Sequence, residues 1–179
     1  LANYVRQAGA IGTTLRNGFP ESVLDTLQPS MMLLSPGPGN PRDFELSKSI
    51  ALALKRKIPI CGVCLGMQGL IEYYGGELGV LPYPMHGKPS TVTVHEPRGH
   101  LFHSLPDSFQ VGRYHSLYSI KAKHPKELRI TATTADGVIM AIEHESLPMA
   151  AVQFHPESIM TNTDVGLKML SNAINRLRY

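Results

Sequence analysis

The segment "ICGVCLGMQG", residues 60–69, holds both cysteines of the chain, Cys61 and Cys64, three positions apart among glycines. A thioredoxin-like redox pair would place the first thiol at a helix N-terminus. Here Cys61 falls inside the apolar run "IPICGV" and reads as a strand residue facing the core. A zinc site would require about two further ligands at suitable spacing. No third cysteine exists, and the eight histidines offer only "HLFH" at 100–103 as a close pair. Cys64 stands differently. Gly62-Val63-Cys64-Leu65-Gly66 is a G-x-C-x-G pattern between a predicted strand and a predicted helix, the cysteine form of a nucleophile elbow. A thiol there sits at a helix N-terminus, where unpaired N–H groups and the helix dipole favour the thiolate. A small buried thiol without chemistry is the alternative until a base is found.

A candidate base lies in "VQFHPES", residues 152–158. His155 ends a predicted apolar strand, and Pro156 keeps it extended. In extended chain, residues i and i+2 point the same way, so Glu157 can pair with His155 and orient its ring. Cys64, His155 and Glu157 thus have the types and spacing of nucleophile, base and orienter. A histidine capping a strand end with no catalytic part is the competing reading.

Positioning these groups requires strands that end near one another. The first half of the chain alternates helix and strand: helix at 2–8, extended chain at 10–16, a short helix at 22–27 and a buried strand at 31–35. After "PGPGNP" a helix is predicted from Pro41 to about Arg56, with Leu46, Ile50, Ala53 and Leu54 on one stripe. A strand at 58–63 and a helix at 65–75, closed by Gly75-Gly76, follow. The second half is richer in strands, predicted at 90–96, 110–116, 128–134, 138–144 and 149–154, before a last helix at roughly 163–178. That helix turns Val165, Leu170, Ile174 and Leu177 to the core. The fold class is α/β: an open, mostly parallel central sheet with helices on both faces and a small antiparallel section. Sites in such sheets lie beyond the carboxyl ends of the parallel strands. "PGPGNP" and "VCLGMQ" should face one another there.

Composition sets outer limits. The chain has 179 residues, 42% hydrophobic and 17% charged, enough for one domain with a sizeable core. A net charge of +3 with dispersed basic residues, apart from "LKRK" at 54–57, gives no nucleic-acid footprint. The uncharged apolar stretch Ile58 to Ile71 is interrupted by Pro59 and glycines and falls short of the ~18 residues of a membrane span. Two cysteines make no disulfide framework, which points to a reducing, cytoplasmic setting. The chain opens inside a helix without start signals, which suggests preceding residues in the natural polypeptide.

"LSPGPGNP", "GVCLGMQ", "MHGKPS", "GRYHSL" and "AVQFHPES", in this order, resemble the class I, or triad-type, glutamine amidotransferase domain. Within that family the chain is most similar to the glutaminase of anthranilate synthase, particularly forms fused behind the chorismate-using synthase. The resemblance covers residues 1–179 and implies a flavodoxin-like fold that here lacks its first strand, with its "DN-x-DSF"-like turn. It implies that Cys64 attacks the glutamine side-chain amide to form a γ-glutamyl thioester, that His155 moves the proton, and that Glu157 orients His155. The backbone N–H groups of Gly37 and Leu65 would form the oxyanion hole. Gly37, Pro38 and Gly39 would line the glutamine site, Gln68 would hold the α-amino or carboxylate end, and Ser116 and Leu117 would meet that end through backbone groups. Met67 stands where many relatives have His. The "MHGK" and "RYHS" segments would lie near a partner interface and ammonia exit, with His86, Lys88 and His115 solvated loop residues on the alternative reading. The resemblance implies no metal and no cofactor in this domain, with Mg on the synthase partner. The partner it implies is a chorismate-binding synthase, with glutamine as substrate and neither nucleic acid nor membrane. Aminodeoxychorismate and phenazine-type synthases share the motif set, and a non-catalytic docking domain would keep the same fold.

Overall fold

The computed structural model describes residues 1–179 as one seven-stranded sheet between two helical layers. The strands are β1 (Met32–Leu34), β2 (Ile60–Val63), β3 (Leu78–Val94), β4 (Ser108–Ser119), β5 (Leu128–Thr134), β6 (Ile139–His144) and β7 (Met149–Val152). The helices are α1 (Ala2–Gln7), α2 (Ser22–Leu27), α3 (Leu46–Lys55), α4 (Leu65–Tyr73) and α5 (Thr163–Arg176). Spatial order across the sheet is β1-β2-β7-β6-β5-β3-β4.

Two packed clusters follow from strand alternation. Cys61, Val63, Ala150 and Val152 join Val165, Met169, Ala173 and Leu177 on one face. Ile60, Met149 and Ala151 meet Leu24, Ile50, Ala53, Met67, Leu70 and Ile71 on the other. The strands β2 and β7 are therefore buried on both faces, which explains why they read as unbroken apolar runs. The α/β class with helices on both faces stands. Within it, the antiparallel section is larger than the sequence suggests: β1, β2 and β7 are parallel, while β7-β6, β6-β5, β5-β3 and β3-β4 are antiparallel.

Three local differences have physical reasons. Residues 10–16 form no strand; Ile11 is fully exposed, and β-branched residues stay irregular where no neighbouring strand pairs with them. The helix predicted from Pro41 breaks at Glu45, whose φ of 47° interrupts it. Asn40 and Asp43 instead cap a separate 3-10 turn over Pro41–Phe44. The strand predicted at 90–96 extends back to Leu78, through prolines that read as breakers. Only Val92–Val94 of β3 pair with β5, so the proline-bearing part pairs with β4 alone and tolerates lost donors at its free edge. The start of the chain, α1, packs on α5. The strand expected ahead of α1 lies outside the described residues. No helix is long and apolar enough to cross a membrane.

Candidate active site

All three parallel strands end at one edge, and each delivers one part of the predicted site. The "SPGPGN" loop follows Leu34 at the end of β1, Cys64 follows Val63 at the end of β2, and Gln153 through Glu157 follow Val152 at the end of β7. With β2 between its parallel neighbours, the thiol is central. This is the position in which open α/β sheets place their ligands.

Cys64 sits at φ 52°, ψ −101°, outside the regions ordinary residues favour. Its N–H is anchored to the Val152 carbonyl at 2.8 Å, and its own carbonyl accepts from Gln68 N–H at 3.1 Å. Strained backbone of this kind concentrates at functional sites. The flanking glycines make the turn possible. A Cβ on Gly62 would lie 2.8 Å from the Gly66 carbonyl carbon, and one on Gly66 would lie 2.3 Å from the Leu34 carbonyl oxygen. Strand β2, helix α4 and strand β1 touch through bare backbone here. No side chain caps the start of α4, so its first N–H groups, beginning with Leu65's, lack intrahelical partners. Gly37 abuts Leu65, since a Cβ on it would come within 2.8 Å of a Leu65 methyl. The two expected oxyanion donors therefore belong to adjoining residues. Pro38 and Gly39 flank them in the same loop.

His155 Nδ1 and Glu157 Oε1 are 2.9 Å apart, with both side chains largely shielded. Burial alone would lower the imidazole's pKa, but hydrogen bonding and charge attraction from Cys64 and Glu157 outweigh it and raise it to about 9. Burial likewise pushes the Glu157 carboxyl up, and the His155 hydrogen bond and charge reverse that and leave it below its ordinary value. The second imidazole nitrogen, Nε2, is buried and completes no well-directed hydrogen bond in the free protein. Catalytic hydrogen bonds are often loose before substrate binds. The loop carrying His155 is fastened from several sides. Its N–H donates to the Gly112 carbonyl at 3.1 Å, and its carbonyl accepts from Thr161 Oγ1 at 2.7 Å. The Tyr114 ring stands edge-on to the imidazole, 5.0 Å between centroids, and its hydroxyl meets Ser158 Oγ at 3.0 Å.

The structure thus brings Cys64, His155, Glu157, Gly37 and Leu65 to one edge. Cys61 is apart: both thiols are free, and burial pushes the Cys61 thiol up to about 12. No three His, Cys, Asp or Glu side chains converge as a metal group. The "HLFH" histidines go separate ways, His100 to Glu143 and His103 to Ser104 and Arg176.

Gln68 is buried, and its Nε2 donates to the Leu117 carbonyl at 3.3 Å and to Gln153 Oε1 at 3.2 Å. Ser116 and Leu117 lie half-buried on β4 beside it. "MHGK" and "RYHS" pair as strands, Met85 with His115 and Lys88 with Arg113. His86 and Lys88 are exposed, but His115 is buried, so it is no solvated loop residue. Sequence reasoning missed Gln153 and Tyr114. The signal for Gln153 is positional: it stands two residues before His155, on the same side of an extended chain.

Comparison with known proteins gives the family. The family model "Glutamine amidotransferase class-I" matches residues 1–175. An anthranilate synthase of Azospirillum brasilense is 49% identical over 178 residues, which are 99% of this chain but only 24% of that longer protein. The anthranilate synthase component 2 of Methanocaldococcus jannaschii is 40% identical over 182 residues, covering 96% of this chain and 89% of the relative. A solved structure of a putative GMP synthase protein from Thermoplasma acidophilum matches with a TM-score of 0.83 at 25% identity, covering 96% of this chain and 83% of that one. With a matching model over nearly its whole length and an elbow cysteine beside a His-Glu pair, the chain belongs to the class-I glutamine amidotransferases.

Proposed function

We propose that this chain hydrolyses glutamine through Cys64, His155 and Glu157 and supplies ammonia to a chorismate-using synthase that makes anthranilate, in tryptophan biosynthesis. The observation that carries the chemistry is the strained Cys64 at the head of α4 beside a His155–Glu157 pair whose imidazole holds its proton at neutral pH. The partner is inferred from the 40–49% identity to anthranilate synthase components, well above the 25% shared with the GMP synthase protein.

The Cys64 sulfur attacks the carbonyl carbon of the substrate side-chain amide. Charge gathers on the carbonyl oxygen, toward the N–H groups of Gly37 and Leu65. As the C–N bond breaks, protonated His155 gives its proton to the nitrogen, and ammonia departs from a γ-glutamyl thioester. His155, now neutral, takes a proton from water, which attacks the thioester and releases glutamate. Glu157 keeps the ring aligned and steadies its positive charge throughout. The Gln68 N–H groups are already committed within the protein, so only Oε1 is available, an acceptor suited to the substrate's α-ammonium. Ser116 and Leu117 would receive the same end of the substrate. None of these steps draws on a cofactor; Mg belongs to the partner. A reducing cytoplasm, which keeps a free nucleophilic thiol intact, is part of the same reading.

The test combines this chain with an anthranilate-forming synthase. Glutamine-dependent synthesis is expected from the pair, and Cys64→Ser should abolish it while synthesis from ammonium salts continues. Loss of both activities would break the proposed division of labour, and glutamate release unaffected by Cys64→Ser would remove the nucleophile.

A further inference from the structure

A buried chain of polar groups runs from the middle of β4 to the nucleophile, and its polarity is fixed by one atom. The Leu117 carbonyl can only accept. It lies 2.8 Å from His115 Nδ1 and 3.3 Å from Gln68 Nε2, so both nitrogens must be donors. With its proton on Nδ1, neutral His115 leaves Nε2 bare, and Arg113 Nε donates to it at 3.1 Å. Burial, with the charges of Arg113 and His155, holds His115 down to about 4, consistent with that neutral ring. On the other side, the second N–H of Gln68 points to Gln153, which must turn its oxygen toward Gln68. The Gln153 amide nitrogen is thereby turned to the Cys64 sulfur, 3.5 Å away. Gln153 is wholly buried and Gln68 nearly so, away from bulk solvent.

We propose that Gln153 donates a hydrogen bond to the Cys64 sulfur, and that Gln68, locked by the Leu117 carbonyl, is the positioning residue that keeps the Gln153 amide turned that way. An N–H aimed at the sulfur favours its charged form over the neutral thiol. His155 faces the same sulfur with Glu157 behind it, while His115, Arg113 and Asp136 stand further back along β4 and the β5–β6 turn. Gln153 is the neutral donor among them, so it acts on the thiolate without titrating. The inference rests on Cys64 being the nucleophile of the proposed reaction, but its test consumes no glutamine.

The test is the pH profile of Cys64 alkylation by iodoacetamide, read by mass spectrometry on the full chain, with the Cys61 peptide as internal control. Gln153→Met keeps length and volume but removes the donor. It should move the inflection of the profile up by about one pH unit and slow alkylation near pH 7 about tenfold. Gln153→Glu, which turns an acceptor toward the sulfur, should move it further. Gln68→Met should move it in the same direction by less, because the Gln153 amide is then free to turn. An unmoved inflection in a Gln153→Met protein that melts like its parent overturns the proposal. If Gln153→Met does not fold, Gln68→Met decides in the same way; if neither folds, the two glutamines serve packing and the proposal falls. Should the parent release no glutamate while the inflection still moves, the glutaminase reading fails and the Gln153 donor stands. Glutamate release by the parent with no movement in the variants gives the reverse.

Discussion

Two cysteines three residues apart take opposite environments because one lies in a strand and the other just beyond it. Cys61 points into the apolar cluster against α5, whereas Cys64 is lifted out of the strand by a backbone that only the elbow imposes. Cys61→Ala should therefore keep glutamine hydrolysis within a few-fold of the parent, at a cost of about 1 kcal/mol of stability from lost packing. A dead Cys61→Ala enzyme that melts normally would revive a paired role. The base and its orienter should separate in the same assay. His155→Ala removes proton transfer and should lower turnover by about a thousandfold, whereas Glu157→Gln keeps the ring and should lose less. Equal losses in single-turnover thioester formation would give Glu157 a direct chemical part. The pair also marks stability. The raised His155 pKa means its contribution is complete below its ordinary 6.5 and is lost as pH rises through about 9. The lowered Glu157 pKa means a contribution present above 4.5 and lost as pH falls from there. Urea unfolding at steps from pH 6 to 10 should show the parent weakening across the upper window and His155→Gln weakening less. The meeting of Cys64, His155 and Glu157 at one sheet edge was legible in the sequence because each follows a predicted strand end. Gln153 was not, because a single glutamine just past an apolar strand gives no sign of its partner until Gln68 is brought across from α4.

Elements were legible where a regular apolar period marks them. The run "SVLDTL" and the strand 128–134 match their predicted bounds, since periodicity alone defines them. The β3–β4 ribbon was not, because its pairing depends on tolerance of proline at an edge, a property of the partner strand rather than of the segment. The break at Glu45 was hidden for a related reason: the Asn40–Asp43 box opens a short turn, closed at Glu45, that composition reads as the first turn of a longer helix. The elbow gives the sharpest element-scale prediction. Gly66→Ala places a methyl against a backbone carbonyl of β1 that cannot move without unpairing the strand. It should cost about 1–3 kcal/mol, a melting point lower by roughly 2–12 °C at this size, and should displace the Leu65 N–H from the reacting oxygen. Gly69→Ala, one turn along, meets the Leu46 side chain, which has rotamers to yield with. Differential scanning calorimetry with glutaminase assays should rank Gly69→Ala above Gly66→Ala in both stability and activity. The reverse order would mean that close backbone contact is not what the elbow requires.

At the scale of the whole molecule, the sheet divides the interior into two cores, and the site draws one part from each layer. Cys64 heads α4, and that helix packs through Leu70 and Ile71 into the cluster shared with α2 and α3. The loop carrying His155 leans on the other layer, where Gly166 of α5 comes so close to the Pro156 carbonyl that a Cβ could not be accommodated. Relative placement of thiol and imidazole thus depends on both layers being seated on the same sheet edge. Loosening one core from each side tests this. Ile71→Val in one cluster should cost about 0.5–1.5 kcal/mol and Met169→Ala in the other about 2–5 kcal/mol. Because the sheet stands between them and they share no neighbour within either cluster, the double variant should equal the sum within about 0.5 kcal/mol. Activity should behave differently. Each variant alone shifts one half of the site against the other, and misplacement by an ångström can cost on the order of a hundredfold in rate. The double variant should therefore lose more turnover than stability predicts while ammonia-dependent synthesis by the partner remains intact. Additive unfolding with unchanged glutamine hydrolysis would show that the sheet edge alone, through the Cys64 N–H to Val152 carbonyl bond and the strands on either side, holds the site together.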